Sequence, residues 1–206
     1  MKVVLVNGSP HAKGCTYTAL REVEKALWED DIKTEILQLG IKPIPGCIAC
    51  GVCGKTGMCF VDDGVNELLS KVAATDGFVF GSPVHFAAAS GGLTSFLDRL
   101  FYGRTRLFAG KPGAAIVSCR RGGAAAAFDQ LNKYFTISGM PIVSAHYWNQ
   151  VHGNTPEEVV QDLEGMQTMR TLGRNMAWLL KCIEAGRENG IILPEGEAPV
   201  KTSFIR

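Results

Sequence analysis

The 206-residue chain has no long apolar run and almost no net charge, and each absence removes a class of protein. No stretch approaches the ~18 consecutive apolar residues that a membrane-spanning helix needs. The net charge of +1 provides no basic field for nucleic acid or an anionic membrane surface. With 46% apolar and 20% charged residues, the composition is that of a globular protein. We therefore expect one folded domain over residues 1–206, with neither nucleic acid nor a membrane as partner.

The first residues also lack the features of a targeting signal. Their short apolar run ends at Asn7-Gly8, and no small-residue cleavage site follows it. We therefore expect a cytoplasmic protein, in a compartment where thiols stay reduced. In such a compartment, clustered cysteines favour metal or redox chemistry over structural disulfides.

Short apolar strands alternate with amphipathic helices along the chain. The pattern predicts five strands, near residues 2–6, 32–39, 77–81, 114–118 and 141–145. It predicts helices at 16–28, 63–72 (with Asp63 as its N-cap), 90–101, 124–137 and about 155–186, the last followed by an irregular tail. This alternation indicates an α/β fold, a doubly wound parallel sheet of five strands with helices on both faces. Ligands in such folds bind beyond the carboxyl ends of the strands.

The loop after the first strand, residues 7–16, has the features of an anion site. Free backbone N–H groups and the helix dipole favour an anion at the start of the first helix. The hydroxyl groups of Ser9, Thr16 and Thr18 can add donors. No Gly-Lys-Ser/Thr and no G-x-G-x-x-G is present, so the loop is neither a Walker loop nor a dinucleotide fingerprint. The alternative is an ordinary strand–helix turn.

The loops after the third and fourth strands can complete a cofactor site. In residues 81–86, His85 and Phe86 can flank a planar ring. In residues 119–123, Arg120 or Arg121 can face a carbonyl that gains negative charge on reduction. Each loop alone is also compatible with a simple turn. Because all three loops are expected at one edge of the sheet, their combination favours binding.

Four of the seven cysteines lie within thirteen residues, on a loop at 44–61 inserted after the second strand: Cys47, Cys50, Cys53 and Cys59. Three cysteines at this spacing can converge on three corners of a 4Fe–4S cluster. Gly54 and Gly57 allow the chain to bring Cys59 back to the same cluster. Zinc is the rival metal, although structural zinc sites usually pair two cysteine knuckles across a longer gap. Reduced thiols without metal are the third possibility.

Three motifs together resemble the NAD(P)H-dependent FMN reductase branch of the flavodoxin-like superfamily: Gly8-Ser9-Pro10, Ser82-Pro83-Val84-His85 and the L-x2-F-L-D-R run at 93–99. The C-x2-C-x2-C-x5-C spacing is similar to that of the iron–sulfur flavoproteins within that branch. The resemblance covers roughly residues 1 to 150 and implies a flavodoxin-like sheet with strand order 2-1-3-4-5. It also implies bound FMN and, on the four cysteines, an iron–sulfur cluster.

The resemblance assigns the FMN contacts to the three loops. The FMN phosphate would be held by Ser9, His11, Gly14, Cys15, Thr16 and Thr18. The isoalloxazine ring would be bordered by Pro83, Val84, His85 and Phe86. Its pyrimidine side would meet the turn formed by Arg120, Arg121, Gly122 and Gly123. No residue is assigned a catalytic role.

The implied function is an FMN-dependent oxidoreductase that passes electrons between a donor and a small acceptor molecule. The expected donor is a ferredoxin-type protein or NAD(P)H. A cluster-free NAD(P)H-dependent FMN or quinone reductase is one alternative, and a non-enzymatic carrier like flavodoxin is another. The near-neutral charge counts against the carrier, because such carriers tend to be strongly acidic.

We also expect a homodimer or homotetramer. The helix predicted near 155–186 carries more apolar side chains than one sheet face should need. In this fold a flavin lies at the rim of the sheet, where a neighbouring subunit can cover it, and the family resemblance implies the same.

Overall fold

The structure is a computed structural model that describes residues 1–102, 104–198, 200 and 202. Within these residues the chain forms one sheet of six strands: β1 Lys2–Asn7, β2 Lys33–Gln38, β3 Gly77–His85, β4 Ala88–Ala89, β5 Gly113–Cys119 and β6 Gln150–His152. The α-helices are α1 Cys15–Trp28, α2 Val52–Thr56, α3 Gly64–Lys71, α4 Gly91–Phe101, α5 Ala124–Ile137, α6 Pro156–Val159 and α7 Leu163–Glu188. Short 3₁₀ turns occupy Val72–Ala74 and Thr105–Leu107.

The strand order confirms the predicted fold. The strands lie in the order β2-β1-β3-β5-β6, and all four of these pairings are parallel. This is the predicted order of five parallel strands, with numbers shifted because the two-residue strand β4 pairs antiparallel with β3. Strand β5 is buried along its whole length, as a strand covered by helices on both faces must be.

Two apolar layers enclose the sheet. On one face, helices α3, α4 and α5 cover a layer rich in aromatic side chains, which includes Phe78, Phe80, Phe96 and Phe135. On the other face, α1 and α7 cover an aliphatic layer that includes Leu5, Leu20 and Met169. Burial of a large apolar side chain contributes about 1.5–3 kcal/mol, so these layers supply most of the stabilisation.

The sheet edge near residues 141–145 differs from the prediction. The predicted strand there is wrong: of these residues, all described, only Ile142 forms a bridge, to Gly113. Pro141 has no N–H group to donate, and its carbonyl accepts from Gly113 N at 2.9 Å. The chain then leaves the sheet edge. There the Asn149 side chain, in place of a strand backbone, donates a hydrogen bond to the Ala115 carbonyl at 3.1 Å. Regular pairing resumes in β6 at Gln150.

The predicted long C-terminal helix is interrupted. It consists of the short α6 and the 26-residue α7, which begins after Asp162. The Asp162 carboxylate caps α7 by accepting from Gly165 N at 2.9 Å and holds β6 by accepting from His152 N at 2.6 Å. Within the described residues, no helix is both long and apolar enough to cross a membrane.

Helix α7 buries most of its apolar side chains within its own subunit. It packs so closely on α1 that a Cβ at Gly173 would lie 2.6 Å from Ala26 Cβ. Its strongly exposed apolar side chains are Leu163, at 76%, and Trp178, at 66%. The apolar excess on which we based the expected oligomer is therefore smaller than the sequence indicated.

Candidate functional site

The carboxyl end of β1 fixes the first predicted loop through buried polar side chains. Asn7 is fully buried; its Oδ1 accepts from Ser9 N at 3.1 Å, and its Nδ2 donates to Gln38 Oε1 at 2.5 Å. Gln38 Nε2 in turn donates to the Ser9 carbonyl at 2.7 Å. Sequence reasoning missed Asn7 and Gln38 as loop supports. Their signal was a polar residue at the last position of each of two adjacent strands.

This loop leads to the N-terminus of α1, which faces an open cleft. Gly14 precedes the helix, and in the described part of the chain no side chain caps this end. Residues 11–15 and 154–156 line the cleft, whose volume is about 470 Å³. An uncapped helix N-terminus presents N–H groups and a positive dipole end to an anion. The arrangement therefore suits a phosphate group.

The hydroxyl groups predicted for phosphate binding already have partners within the protein. Ser9 Oγ accepts from His11 N at 3.1 Å, and Thr18 Oγ1 donates to the Gly14 carbonyl at 3.2 Å. Thr16 is buried, and its Oγ1 lies 2.8 Å from Ser118 Oγ at the end of β5. Because Ser9 Oγ accepts in its internal hydrogen bond, its O–H remains a donor for an anion beside the uncapped N–H groups of α1.

Cys15 lies at the start of α1 as an uncharged thiol. Its Sγ donates to the Gly153 carbonyl at 3.7 Å. Burial is the main factor that raises the pKa of the Cys15 thiol above its ordinary value of 9.0. A neutral thiol does not repel a phosphate, so this residue is compatible with an anion at the helix N-terminus.

The second predicted loop is a tight hairpin that extends β3. Pro83, Val84 and His85 lie in β3, and Phe86 and Ala87 form the turn to β4. Phe86 has φ +51° and Ala87 has φ +59°, a left-handed conformation that costs roughly 1–2 kcal/mol for a residue other than glycine. The Phe86 side chain is fully exposed at the tip. Strain of this kind is typical of functional loops.

The third predicted loop packs directly against this hairpin. Arg120, Arg121 and Gly122 are exposed or nearly so, whereas Gly123 is partly buried and has φ +87°. A Cβ at Gly123 would lie 2.7 Å from Ala87 Cα, so only glycine fits this approach. The side chains of Arg120 and Arg121 therefore project from a turn whose position is fixed by the hairpin.

Hydrogen bonds join the first loop to the other two. Gly8 N donates to the Gly81 carbonyl at 2.8 Å, and Ser90 Oγ donates to the Gly8 carbonyl at 2.9 Å. The contact between Thr16 and Ser118 joins the first loop to the third. The structure thus brings the three loops, residues 8–15, 82–87 and 119–123, to one place, here called the flavin edge after the cofactor that the sequence resemblance implies there.

The four clustered cysteines line one cavity, here called the cysteine cavity. Its volume is about 20 Å³, and it is lined by Gly46, Cys47, Ile48, Cys50, Gly51, Cys53, Cys59, Phe60, Arg99 and Tyr102. Among the described residues, no three His, Cys, Asp or Glu side chains are close enough together to hold one metal ion. The ligands of a cubane cluster lie farther apart than those of one ion, because each binds a different corner. Four cysteine thiols line this cavity, and cysteine thiolates are the ligands that iron–sulfur clusters use.

Two of these cysteines are held by the core of the protein. Asn66 binds both backbone groups of Cys59: its Oδ1 accepts from the Cys59 N–H at 2.7 Å, and its Nδ2 donates to the Cys59 carbonyl at 2.9 Å. Cys53 is buried, and its Sγ donates to the Tyr102 carbonyl at 3.1 Å. The positions of these two sulfur atoms are therefore set by α3 and by the end of α4.

The other two cysteines lie on an exposed turn. Cys47 and Cys50 are exposed, and Ala49 N donates to Cys47 Sγ at 3.4 Å. Ala49 and Gly51 have φ of +53° and +73°, so the chain curls around the sulfur atoms. The turn therefore leaves Cys47 and Cys50 exposed to solvent.

Arg99, in the last turn of α4, connects the cysteine cavity to α3. Its side chain is almost completely buried, and it binds the Asp63 carboxylate through Nη1 at 2.6 Å and Nη2 at 2.9 Å. Burial lowers the pKa of Arg99, but hydrogen bonds with Asp63 and Cys59 outweigh this and raise it overall. Asp63 also caps α3 by accepting from Val65 N at 3.1 Å, as predicted from the sequence. Sequence reasoning placed Arg99 only in a family motif.

Helix α4 separates the flavin edge from the cysteine cavity. Its N-cap, Ser90, contacts the loop after β1, whereas Tyr102 at its other end contacts Cys53. An α-helix rises 1.5 Å per residue, so the eleven residues of α4 span about 16 Å. Opposite ends of α4 therefore contact the two sites.

Comparison with known proteins identifies the family. The model of the NADPH-dependent FMN reductase family matches residues 1–155. An iron-sulfur flavoprotein of Methanocaldococcus jannaschii is 34% identical over 192 residues, which cover 89% of this chain and 100% of that protein. An iron-sulfur flavoprotein of Methanosarcina thermophila is 27% identical over 194 residues, which cover 91% of this chain and 100% of that protein.

Structural comparison gives the same fold. The structure of an NAD(P)H:quinone oxidoreductase from Methanothermobacter marburgensis superposes with a TM-score of 0.67 at 17% identity, covering 85% of this chain and 96% of that chain. A flavodoxin from the domain Archaea gives a TM-score of 0.59 at 14% identity, over 88% of this chain and 99% of that chain. The chain belongs to the NADPH-dependent FMN reductase family and is an FMN-dependent oxidoreductase with a flavodoxin-like fold.

Proposed function

We propose that this oxidoreductase carries a 4Fe–4S cluster on Cys47, Cys50, Cys53 and Cys59, in addition to FMN, and exchanges single electrons with a partner. The observation that carries the proposal is the shared cysteine cavity, with four thiols around one space. The two full-length relatives named as iron-sulfur flavoproteins support it. Cysteine thiolates are the ligands that hold such clusters.

The flavin edge would hold FMN. The uncapped N-terminus of α1 would bind its phosphate, and the β3–β4 hairpin with the 120–123 turn would border its ring. FMN supplies chemistry that takes an electron pair and releases electrons singly. Arg120 and Arg121 would place positive charge near the ring edge, where reduction adds negative charge.

The cysteine cavity would be the place where single electrons enter or leave. Cys47 and Cys50 are exposed, so a cluster on this loop would lie close to a docked protein. We propose a ferredoxin-type protein or NAD(P)H as donor and a small molecule as acceptor. Because opposite ends of α4 contact the two sites, a second subunit that covers the flavin edge would help to connect them.

A homodimer or homotetramer is part of this proposal. The fully exposed Phe86 at the flavin edge and Trp178, 66% exposed on α7, are the side chains that a neighbouring subunit would cover. Light scattering at micromolar concentration is expected to give a multiple of the 22.2 kDa chain mass. A mass of one chain would count against the oligomer.

The alternative is a cluster-free NAD(P)H-dependent FMN or quinone reductase. It is favoured by the wide spacing of the cysteines, since among the described residues no three ligands are close enough for one ion. In that case the loop would carry reduced thiols, and NAD(P)H would reduce FMN directly.

The cluster is tested with Cys53→Ser in protein purified without oxygen. We expect the variant to lose iron and sulfide while it keeps FMN, because the cysteine cavity and the flavin edge are separate. Exchange with reduced ferredoxin should fall far more than chemical reduction of the flavin. Cys182→Ser is the matched control, because Cys182 is an exposed cysteine on α7.

The opposite result is equally clear. Wild-type protein with full FMN but only trace iron, together with unchanged activity in Cys53→Ser, would rule out the cluster. Turnover with NAD(P)H alone would then favour the cluster-free reductase.

A further inference from the structure

Among the cysteines of the cavity, Cys59 has the contact that stands out. Arg99 Nε and Arg99 Nη2 each donate to Cys59 Sγ, both at 3.3 Å. A sulfur that accepts two N–H groups from one guanidinium is oriented, because the fork fixes its direction. Cys47 instead accepts from the backbone N–H of Ala49 on an exposed turn.

The guanidinium of Arg99 is itself immobile. The Asp63 carboxylate accepts from Nη1 and Nη2, and the Val61 carbonyl accepts from Nη2 at 3.0 Å. The side chain of Arg99 is only 2% exposed. Each edge of the guanidinium therefore has a fixed partner, and its Nε edge points at the Cys59 sulfur.

We propose that Arg99 is a positioning residue for the iron–sulfur centre: it holds the sulfur of Cys59 in place and raises the reduction potential of the cluster. This inference rests on the proposed function, since it needs a cluster on the cysteine cavity. Hydrogen bonds to ligand sulfurs are one of the factors that set the potential of such clusters. Donors and positive charge favour the reduced, more negative state.

Two variants separate this role from a purely structural one. Arg99→Lys keeps a positive charge but loses the fork of donors to Cys59. Asp63→Asn keeps a side chain that caps α3, since asparagine is as good an N-cap as aspartate, but it removes the negative charge beside Arg99. Both variants weaken the same buried ion pair.

The expected readout is the midpoint potential of the cluster, measured by redox titration with EPR detection. Arg99→Lys should shift the potential downward and weaken iron retention by ~10- to 100-fold, the usual effect of losing a group that supports a metal ligand. Asp63→Asn should shift the potential upward, because the charge of Arg99 is no longer balanced. The FMN potential should stay unchanged in both variants.

If Arg99 only stabilised the fold, both variants would move the potential in the same direction or leave it at the wild-type value. Either result overturns the inference. Unfolding of both proteins by urea, measured in parallel, reports the loss of the ion pair itself.

A second measurement needs no variant of Arg99. Pulsed EPR of the reduced wild-type cluster, in protein labelled with ¹⁵N-arginine, is expected to show a weak ¹⁵N coupling that changes in Asp63→Asn. If the reduced cluster shows no such coupling, this inference is wrong, whereas the proposed function stands. Wild-type protein that contains no cluster overturns the proposed function and this inference together.

Discussion

The flavin edge and the cysteine cavity are held in place by different kinds of interaction. At the flavin edge, three loops emerge from adjacent parallel strands, and backbone contacts such as Gly8 N to the Gly81 carbonyl lock them together. At the cysteine cavity, the loop is inserted between β2 and α3 and depends on a few side chains, chiefly Asn66 and Arg99. Adjacent strands therefore position the first site, with buried side chains such as Asn7 in support, whereas the second depends chiefly on individual side chains.

This difference implies that the two sites can be damaged separately. A change that blocks close backbone approach should affect the flavin edge and leave the cysteine cavity intact. A change that removes a supporting side chain should do the reverse. Substitutions in each site, with one outside both, test this separation.

The largest effect is expected for Asn66→Ala. Asn66 is buried and bonds both backbone groups of Cys59, so its loss leaves these groups without partners. We expect the free energy of unfolding to fall by about 2–4 kcal/mol, measured by urea denaturation, and iron to be lost from anaerobic protein. FMN content should remain at the wild-type level. Loss of FMN in equal measure would show that the two sites are coupled.

The intermediate effect is expected for Gly8→Ala at the flavin edge. A Cβ at Gly8 would lie 2.8 Å from both the Gly81 carbonyl oxygen and Leu93 Cβ. We expect a loss of about 1–3 kcal/mol in the free energy of unfolding and much weaker FMN binding in a fluorescence titration, with iron retained.

Gly54→Ala is the matched control for this substitution. Gly54 lies in α2 on the cysteine loop, and outside its own helix backbone and its chain neighbours no described atom lies within 4 Å of where its Cβ would stand. FMN affinity should change by no more than a few tenths of a kcal/mol. The free energy of unfolding should change by no more than a few tenths of a kcal/mol beyond the difference in helix propensity between glycine and alanine. Equal effects of the two substitutions would contradict the contrast between the sites.

The smallest effect is expected for Glu35→Gln on β2, outside both sites. Hydrogen bonds from Lys2 and Lys71, both at 2.6 Å, lower the pKa of Glu35 below its ordinary value of 4.5. A lowered pKa stabilises the fold above pH 4.5, and this contribution is lost as the pH falls through the folded value. At pH 7 the free energy of unfolding of the wild type should exceed that of Glu35→Gln by under about 1 kcal/mol, because Lys2 and Lys71 are partly exposed.

Urea titrations of wild type and Glu35→Gln at about pH 7 and about pH 3 would measure this difference. The two proteins should converge at the lower pH, and FMN and iron contents should match at neutral pH. A difference that persists in acid would contradict the ionic origin of the effect.

Much of the fold follows from local pattern. The apolar runs at 2–6, 77–81 and 114–118 became central strands because continuous burial suits parallel strands covered on both faces. The edge strand was misplaced because residues 141–145 are equally apolar. The position of the edge strand depends on the side chain of Asn149, which donates a hydrogen bond to the Ala115 carbonyl before β6 begins. Hydrophobic periodicity does not reveal such a contact.

The candidate sites divide in the same way. The cysteine spacing, the strand–loop pattern and the lack of a dinucleotide fingerprint each involve residues that are close along the chain. The sequence alone therefore determines these features. The folded molecule was needed to show that Thr16 meets Ser118, that Gly123 packs on the Phe86 hairpin and that Arg99 reaches Cys59. Such contacts join residues far apart in the chain, and the packing of helices on the sheet, rather than local propensity, sets their geometry.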